Sequence, residues 1–318
     1  LEGAPPQLLG VIHEKDSFEF SYAFTIPALQ DTAELWYPWP QSDEFQTIHE
    51  IQYPKELKPQ ILRDSANLTA VAYLKLPPHA KAQKLNWRYR VSRLEKSAYQ
   101  APRPQSNQYQ APTPLLPVGG RFSKLVNEAL DGKTLVTDLV KARALYDYVI
   151  DNVRYAKQGT YGTGDADYAC DARSGNCTEF HSLFIALART ANIPARFGIG
   201  AALPAASQEG GVNGYHCWAE FYAAGKWWPV DLSEADKYSA LSTYYFGHHP
   251  ANRFTLSKGR HIKVEPGPKQ AIPFLAYPNL EVAGQSLQVK SQFSFKRLPW
   301  LRPIKRRRLY KSPCCFGF

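Results

Sequence analysis

The chain has 318 residues, 44% of them hydrophobic and 13% aromatic, a composition that excludes a disordered protein and allows more than one core. Its net charge of +10 suggests nucleic-acid binding only until the charge is located. Lys296, Arg297, Arg302, Lys305, Arg306, Arg307, Arg308 and Lys311 form one acid-free stretch and leave +2 for everything else. Such a basic end is expected to be solvated, with contact to an anionic surface as the other reading and no nucleic-acid partner expected. The longest apolar run, Leu183 to Ala188, is far too short to cross a bilayer. No Met is present, so Leu1 is not an initiator, and the expectation is a processed form or a fragment: exported with its signal peptide removed, or otherwise cytoplasmic.

Along the chain, short apolar segments such as Phe18–Phe24, Ala33–Tyr37 and Leu85–Val91 separated by turn residues predict a sandwich-like, all-β domain over 1–98. Pro102, Pro104, Pro112, Pro114 and Pro117 then predict a semi-rigid linker over 99–120, within which Tyr99-Gln100-Ala101-Pro102 recurs as Tyr109-Gln110-Ala111-Pro112. Ala142, Leu145, Tyr146, Val149 and Val153 make a helical stripe, with Asp138 available as its cap. A helix packed on the sheet that follows gives an α+β domain over 121–295, whose last strands should extend a sheet, and a basic tail over 296–318.

The best-specified helix starts at Cys177. Asn176 is a good N-cap and Glu179 can reach back to the cap amide, which puts Cys177 at the first helical position. Unpaired amides and the positive end of the helix dipole favour a thiolate there. Farther on, His216–Tyr222 and Trp227–Asp231 read as a hairpin with Tyr222 facing Trp227. Counting back puts Trp218 opposite Asp231 and His216 one diagonal step away on the same face. A one-residue slip would send Asp231 to the other side. Thiol, imidazole and carboxylate are the parts of a nucleophile, base and orienter set. His181, four residues after Cys177 on the same helix face, is the competing base, but it has no visible orienter. Strand alternation turns Cys217 away from the face of His216 and suggests a buried structural thiol. Cys170, Cys177 and Cys217 lack the paired spacings of a zinc site, and the run Asp165, Asp167, Asp171 lacks a complete calcium loop. No metal and no cofactor is expected.

These residues carry a resemblance. Gly175-Asn176-Cys177-Thr178-Glu179-Phe180, Leu183–Arg189, Ile193-Pro194-Ala195-Arg196, His216–Tyr222 and Trp227–Asp231 closely resemble the bacterial branch of the transglutaminase-like superfamily, from about Ala142 to Pro250. The resemblance implies a papain-like core with Cys177 as nucleophile, His216 as general base and acid, and Asp231 as orienter. It implies thioester chemistry on a protein or peptide, either peptidase or amidase hydrolysis or amine transfer. A noncatalytic member of the fold that binds a protein or glycan is the alternative. The animal cross-linking enzymes of the superfamily carry Trp after the nucleophile where this chain has Thr178, so calcium activation is not implied. The Cys177 amide is the first oxyanion donor, and Tyr161, Tyr168 and Trp218 are candidates for the second donor or the cleft.

Overall fold

The computed structural model describes residues 9–104, 107–134 and 137–303. Most of the basic stretch, Lys305 to Lys311, and the pair Cys314-Cys315 lie outside the described residues. No helix among the described residues is long and apolar enough to cross a membrane.

The fold is α+β. An antiparallel sheet, in the order Arg253–Lys258, Ala195–Ala202, His216–Ala223, Lys226–Val230 and Tyr99–Gln100, is the platform of the C-terminal half. Helices α1 (Arg121–Leu130), α2 (Asp138–Asn152), α3 (Ala166–Ala172), α4 (Cys177–Thr190) and α5 (Leu232–Lys237) share one core with it. Helix α4 is buried from Cys177 to Arg189, so the apolar side expected at Phe180, Leu183, Phe184 and Leu187 is only part of its covered surface. A helix buried all round needs no single apolar stripe, because neighbours on every side exclude water. The stripe Ala142, Leu145, Tyr146, Val149 and Val153 is buried as expected. Its cap is Thr137 rather than Asp138: the Thr137 hydroxyl accepts the Val140 N–H at 3.3 Å.

The N-terminal region is a sandwich of two five-stranded sheets. One runs Glu209–Val212, Lys290–Arg297, Lys15–Ile26, Gln83–Leu94, Gln46–Gln52, and the other Gln285–Leu287, Asn279–Val282, Ala33–Pro38, Thr69–Leu76, Gln60–Asp64. In Lys15–Ile26 the alternation sends Phe18, Phe20, Tyr22, Phe24 and Ile26 inward. The last strands extend a sheet, as expected, but the sheets they join are those of the sandwich rather than the platform. Lys290–Arg297 pairs with Lys15–Ile26, and Asn279–Val282 pairs with Ala33–Pro38. Phe293 and Phe295 alternate into the sandwich core, and pairings this distant along the chain are not visible from local sequence.

The proline-rich stretch, read from the sequence as a semi-rigid linker, packs along the platform sheet and α4. Tyr99 pairs with Trp227, Leu116 is fully buried, and the Ala111 carbonyl accepts from Arg189 Nη1 at 2.8 Å. Both tyrosines of the short repeat serve Arg196. Its Nη2 donates to the Tyr99 hydroxyl at 2.6 Å, and its guanidinium lies 5.7 Å from the Tyr109 ring. Arg196 and Lys96 both pair with the buried Glu220, at 2.7 and 2.9 Å. Burial pushes the Glu220 carboxyl up, but the Lys96 and Arg196 charges hold it well below the usual carboxylate range. This cluster joins the end of the sandwich, the proline-rich strap and the central strand. Glu220→Ala would leave Lys96 buried without its partner, so urea denaturation is expected to show a loss of about 3–5 kcal/mol.

Candidate active site

The start of α4 is held by more bonds than a capping box. Asn176 Oδ1 accepts the Thr178 N–H at 2.8 Å, and Glu179 Oε2 accepts the Asn176 N–H at 3.0 Å. The other Glu179 oxygen accepts the N–H groups of Gly162 and Gly164 at 2.9 and 2.8 Å, tying the preceding loop to the helix. Gly164 has φ +65°, and a Cβ there would lie 2.7 Å from Arg260 Nη1, so both backbone and space call for glycine. Arg260 in turn donates to the Gly164 carbonyl at 3.0 Å and to Ser182 Oγ at 2.5 Å. Cys177 is thereby fixed as the first residue of α4 and is buried.

The hairpin has the expected register. Tyr222 faces Trp227 and Ala219 faces Val230, while the turn is tighter than the loop read from sequence, since Ala223 and Lys226 also pair. Ala224 and Gly225 complete it with φ of 50° and 76°, the left-handed pair that suits a two-residue hairpin. Asp231 leaves the strand and caps α5, its Oδ1 accepting the Glu234 N–H at 3.1 Å and the Ser233 hydroxyl at 3.2 Å. Its Oδ2 accepts from His216 Nε2 at 2.7 Å and faces Arg253 Nη2 at 3.4 Å. Because Nε2 carries that proton, Nδ1 is the nitrogen of His216 left for a thiol.

The structure thus holds His216 and Asp231 in direct contact beside Cys177, and each of the three shifts the ionisation of its neighbours. Burial lowers the His216 pKa, but the Asp231 charge and hydrogen bond and the neighbouring Cys177 raise it to about 9. Burial raises the Cys177 thiol, but hydrogen bonds from Cys217 and His216 and the His216 charge bring it well below its ordinary value. Burial also raises Asp231, and the charge and hydrogen bond of His216 outweigh this and hold it well below the carboxylate range. All three shifts act in the same sense, favouring the charged form of each group beside its neighbours.

Cys217 is buried and, as expected, lies on the opposite side of its strand from His216, but that side is the one facing α4. It shares the α4-facing side of its strand with Ala219 and Phe221, and the first turn of α4 lies over that side. Its thiol stands 3.7 Å from His181 Nδ1, and its neighbour Cys177 raises the Cys217 thiol further on top of burial. Alternation correctly separates neighbours on a strand; it does not say which face a helix terminus will cover.

The other candidates lie elsewhere. Tyr161 is 37% exposed, in the loop tied down by Glu179. The Tyr168 hydroxyl points to the Gln158 carbonyl at 3.5 Å. Trp218 is buried behind His216, its ring centre 6.0 Å from that imidazole and its indole against Gly198, so it backs the histidine rather than lining an open cleft. Tyr215 and Tyr277, neither singled out in the sequence, pack next to the cap of α4. The Tyr215 hydroxyl is 3.4 Å from Asn176 Nδ2, and burial and then the Cys177 charge raise its pKa. Tyr277 accepts the Tyr215 N–H at 3.2 Å. The one signal available was that Tyr215 immediately precedes His216. Arg253 carried none, being distant in sequence from every motif.

A family profile described as the transglutaminase-like superfamily matches residues 125–232, a span that includes Cys177, His216 and Asp231. The chain has a transglutaminase-like core. It is 32% identical over 220 residues to an uncharacterized protein of Haemophilus influenzae, covering 58% of this chain and 59% of that protein's length. A crystal structure described as a candidate cysteine protease from Cytophaga hutchinsonii shares the fold, with TM-score 0.60 and 17% identity over 91% of this chain and 93% of that one. The periplasmic domain of TgpA from Pseudomonas aeruginosa superimposes more loosely, at TM-score 0.36 and 17% identity, over 74% of this chain and 93% of that domain.

Within this core, Asp231→Asn removes the charge that raises His216. The imidazolium of the variant should then be lost near an ordinary histidine pKa instead of about 9. Alkylation of Cys177 by iodoacetamide, followed by mass spectrometry of its peptide, is expected to be at least about 10-fold slower at about pH 6 in the variant.

Proposed function

We propose that this protein performs thiol-dependent amide chemistry, with Cys177 as nucleophile, His216 as proton carrier and Asp231 as orienter. The observation that carries the reading is the buried 2.7 Å bond between His216 Nε2 and Asp231 Oδ2, beside a thiol at a helix start. The Cys177 thiolate attacks a carboxamide or peptide carbonyl, and the Cys177 N–H at the first turn of α4 faces the developing oxyanion. Collapse breaks the C–N bond while His216 Nδ1 passes its proton to the leaving amine, giving a thioester and a neutral imidazole. Water or an amine then attacks the thioester, giving up a proton to His216, and Cys177 leaves as thiolate. Resemblance to the bacterial branch favours water, hence a peptidase or amidase acting on a protein or peptide.

Sign and window follow from the two shifts. The lowered Cys177 pKa places the acid limb of kcat/KM below the ordinary thiol range, and the raised His216 pKa places the alkaline limb near pH 9. A labelled glutamine peptide, incubated with and without a primary amine, distinguishes deamidation, cleavage and cross-linking by product mass. Hydrolysis that persists when the amine is present, and that falls by on the order of 10³ or more in Cys177→Ala and His216→Ala, is the expected outcome. Unchanged turnover in Cys177→Ala would overturn the proposal. A noncatalytic binding module would instead show an ordinary thiol titration at Cys177.

A further inference from the structure

His181 takes part in none of the steps above, yet it is fully buried and touches both ends of the site. Its Nδ1 lies 2.7 Å from the Cys177 carbonyl oxygen, and its Nε2 lies 3.1 Å from the Leu232 nitrogen. A carbonyl can only accept and a peptide N–H can only donate. Nδ1 must therefore carry the proton and Nε2 the free lone pair, which defines one neutral tautomer. Protonating Nε2 would set a donor against the Leu232 N–H, and Asp231 Oδ1, at 3.7 Å, is too far away to be a replacement partner. The ionisable groups around the ring are Cys177, Cys217, His216 and Asp231. Burial leads the influences on the ring and lowers its pKa, in agreement with the neutral form that the two bonds require.

Leu232 is the first residue of α5, and its N–H is one of the amides that a helix start leaves without an internal partner. Asp231 caps the same helix through Glu234. The His181 ring is thus a rigid strut, one end on the peptide of the nucleophile and the other on the peptide next to the carboxylate. Because it is neutral, it leaves the Asp231 charge to His216 and Arg253.

We propose that His181 is a positioning residue of the thiolate–imidazolium pair: it sets the separation between the Cys177 turn and the Asp231 turn without competing for the carboxylate. This rests on the proposed thiol chemistry and adds a fourth residue to it. The test needs no substrate. The pH dependence of iodoacetamide alkylation is followed by mass spectrometry of the Cys177 peptide, alongside thermal unfolding, in the whole protein and in three variants. His181→Leu loses both bonds, His181→Asn keeps a donor for the Cys177 carbonyl, and His181→Gln offers an acceptor to Leu232.

The Leu variant is expected to titrate about one unit higher and to react roughly 10-fold more slowly at about pH 6, with Asn and Gln in between. A purely structural histidine would lower the unfolding temperature and leave the titration of the folded protein unmoved. A folded Leu variant that titrates like the parent overturns the proposal. If Leu does not fold, parent-like titration of both Asn and Gln does the same. A parent protein whose Cys177 titrates as an ordinary thiol would instead overturn the thiol chemistry itself, and the role of His181 with it.

Discussion

A carboxylate sealed from water is tolerable only if its charge and lone pairs are met, and Asp231, fully buried, is the group on which the site's geometry turns. His216, Arg253, the Ser233 hydroxyl and the Glu234 N–H meet it. The four come from three local constructions: the start of the His216 strand, the edge strand of the same sheet and the first turn of α5. Keeping the four in place requires the hairpin register, the cap of α5 and the sheet order at once. The same carboxylate raises His216, and through His216 it depresses the Cys177 thiol.

The thiol end is built to similar stiffness by different means. Glu179 takes three backbone N–H groups, one from the cap of α4 and two from the loop before it. Arg260, on the far side of the sheet in sequence, clamps that loop to α4 through Gly164 and Ser182. Helix-start electrostatics are worth little in a fraying terminus and more in a buried, fixed one, where solvent cannot screen them. Here the first turn of α4 is enclosed on all sides.

The sandwich contributes from beneath. Lys96 follows its Gln83–Leu94 strand and Tyr99 begins the proline-rich strap, and both reach Glu220 on the strand that starts with His216. Phe254 and Leu256, from the outermost strand of the central sheet, belong to the sandwich core. The two halves therefore share a hydrophobic cluster and a buried ion cluster, and the strand that carries Arg253 is held by both.

Local chemistry was legible in the sequence wherever it depended on neighbours a few residues apart. The N-cap at Asn176, the return of Glu179 to it, the α2 stripe and the pairing of Tyr222 with Trp227 follow from helix and hairpin periodicity alone. With them came the prospect that His216 and Asp231 would meet. Tertiary structure decided what periodicity does not encode: which side of the His216 strand lies under the first turn of α4, and hence that Cys217 is at the thiol. It also decided that the strands near 280 and 293 pair into the N-terminal sandwich, and that Tyr215 and Tyr277 pack beside the cap of α4. Pairings at long range are selected by the total apolar surface and buried charge they satisfy together, a sum over the whole chain that no short window contains.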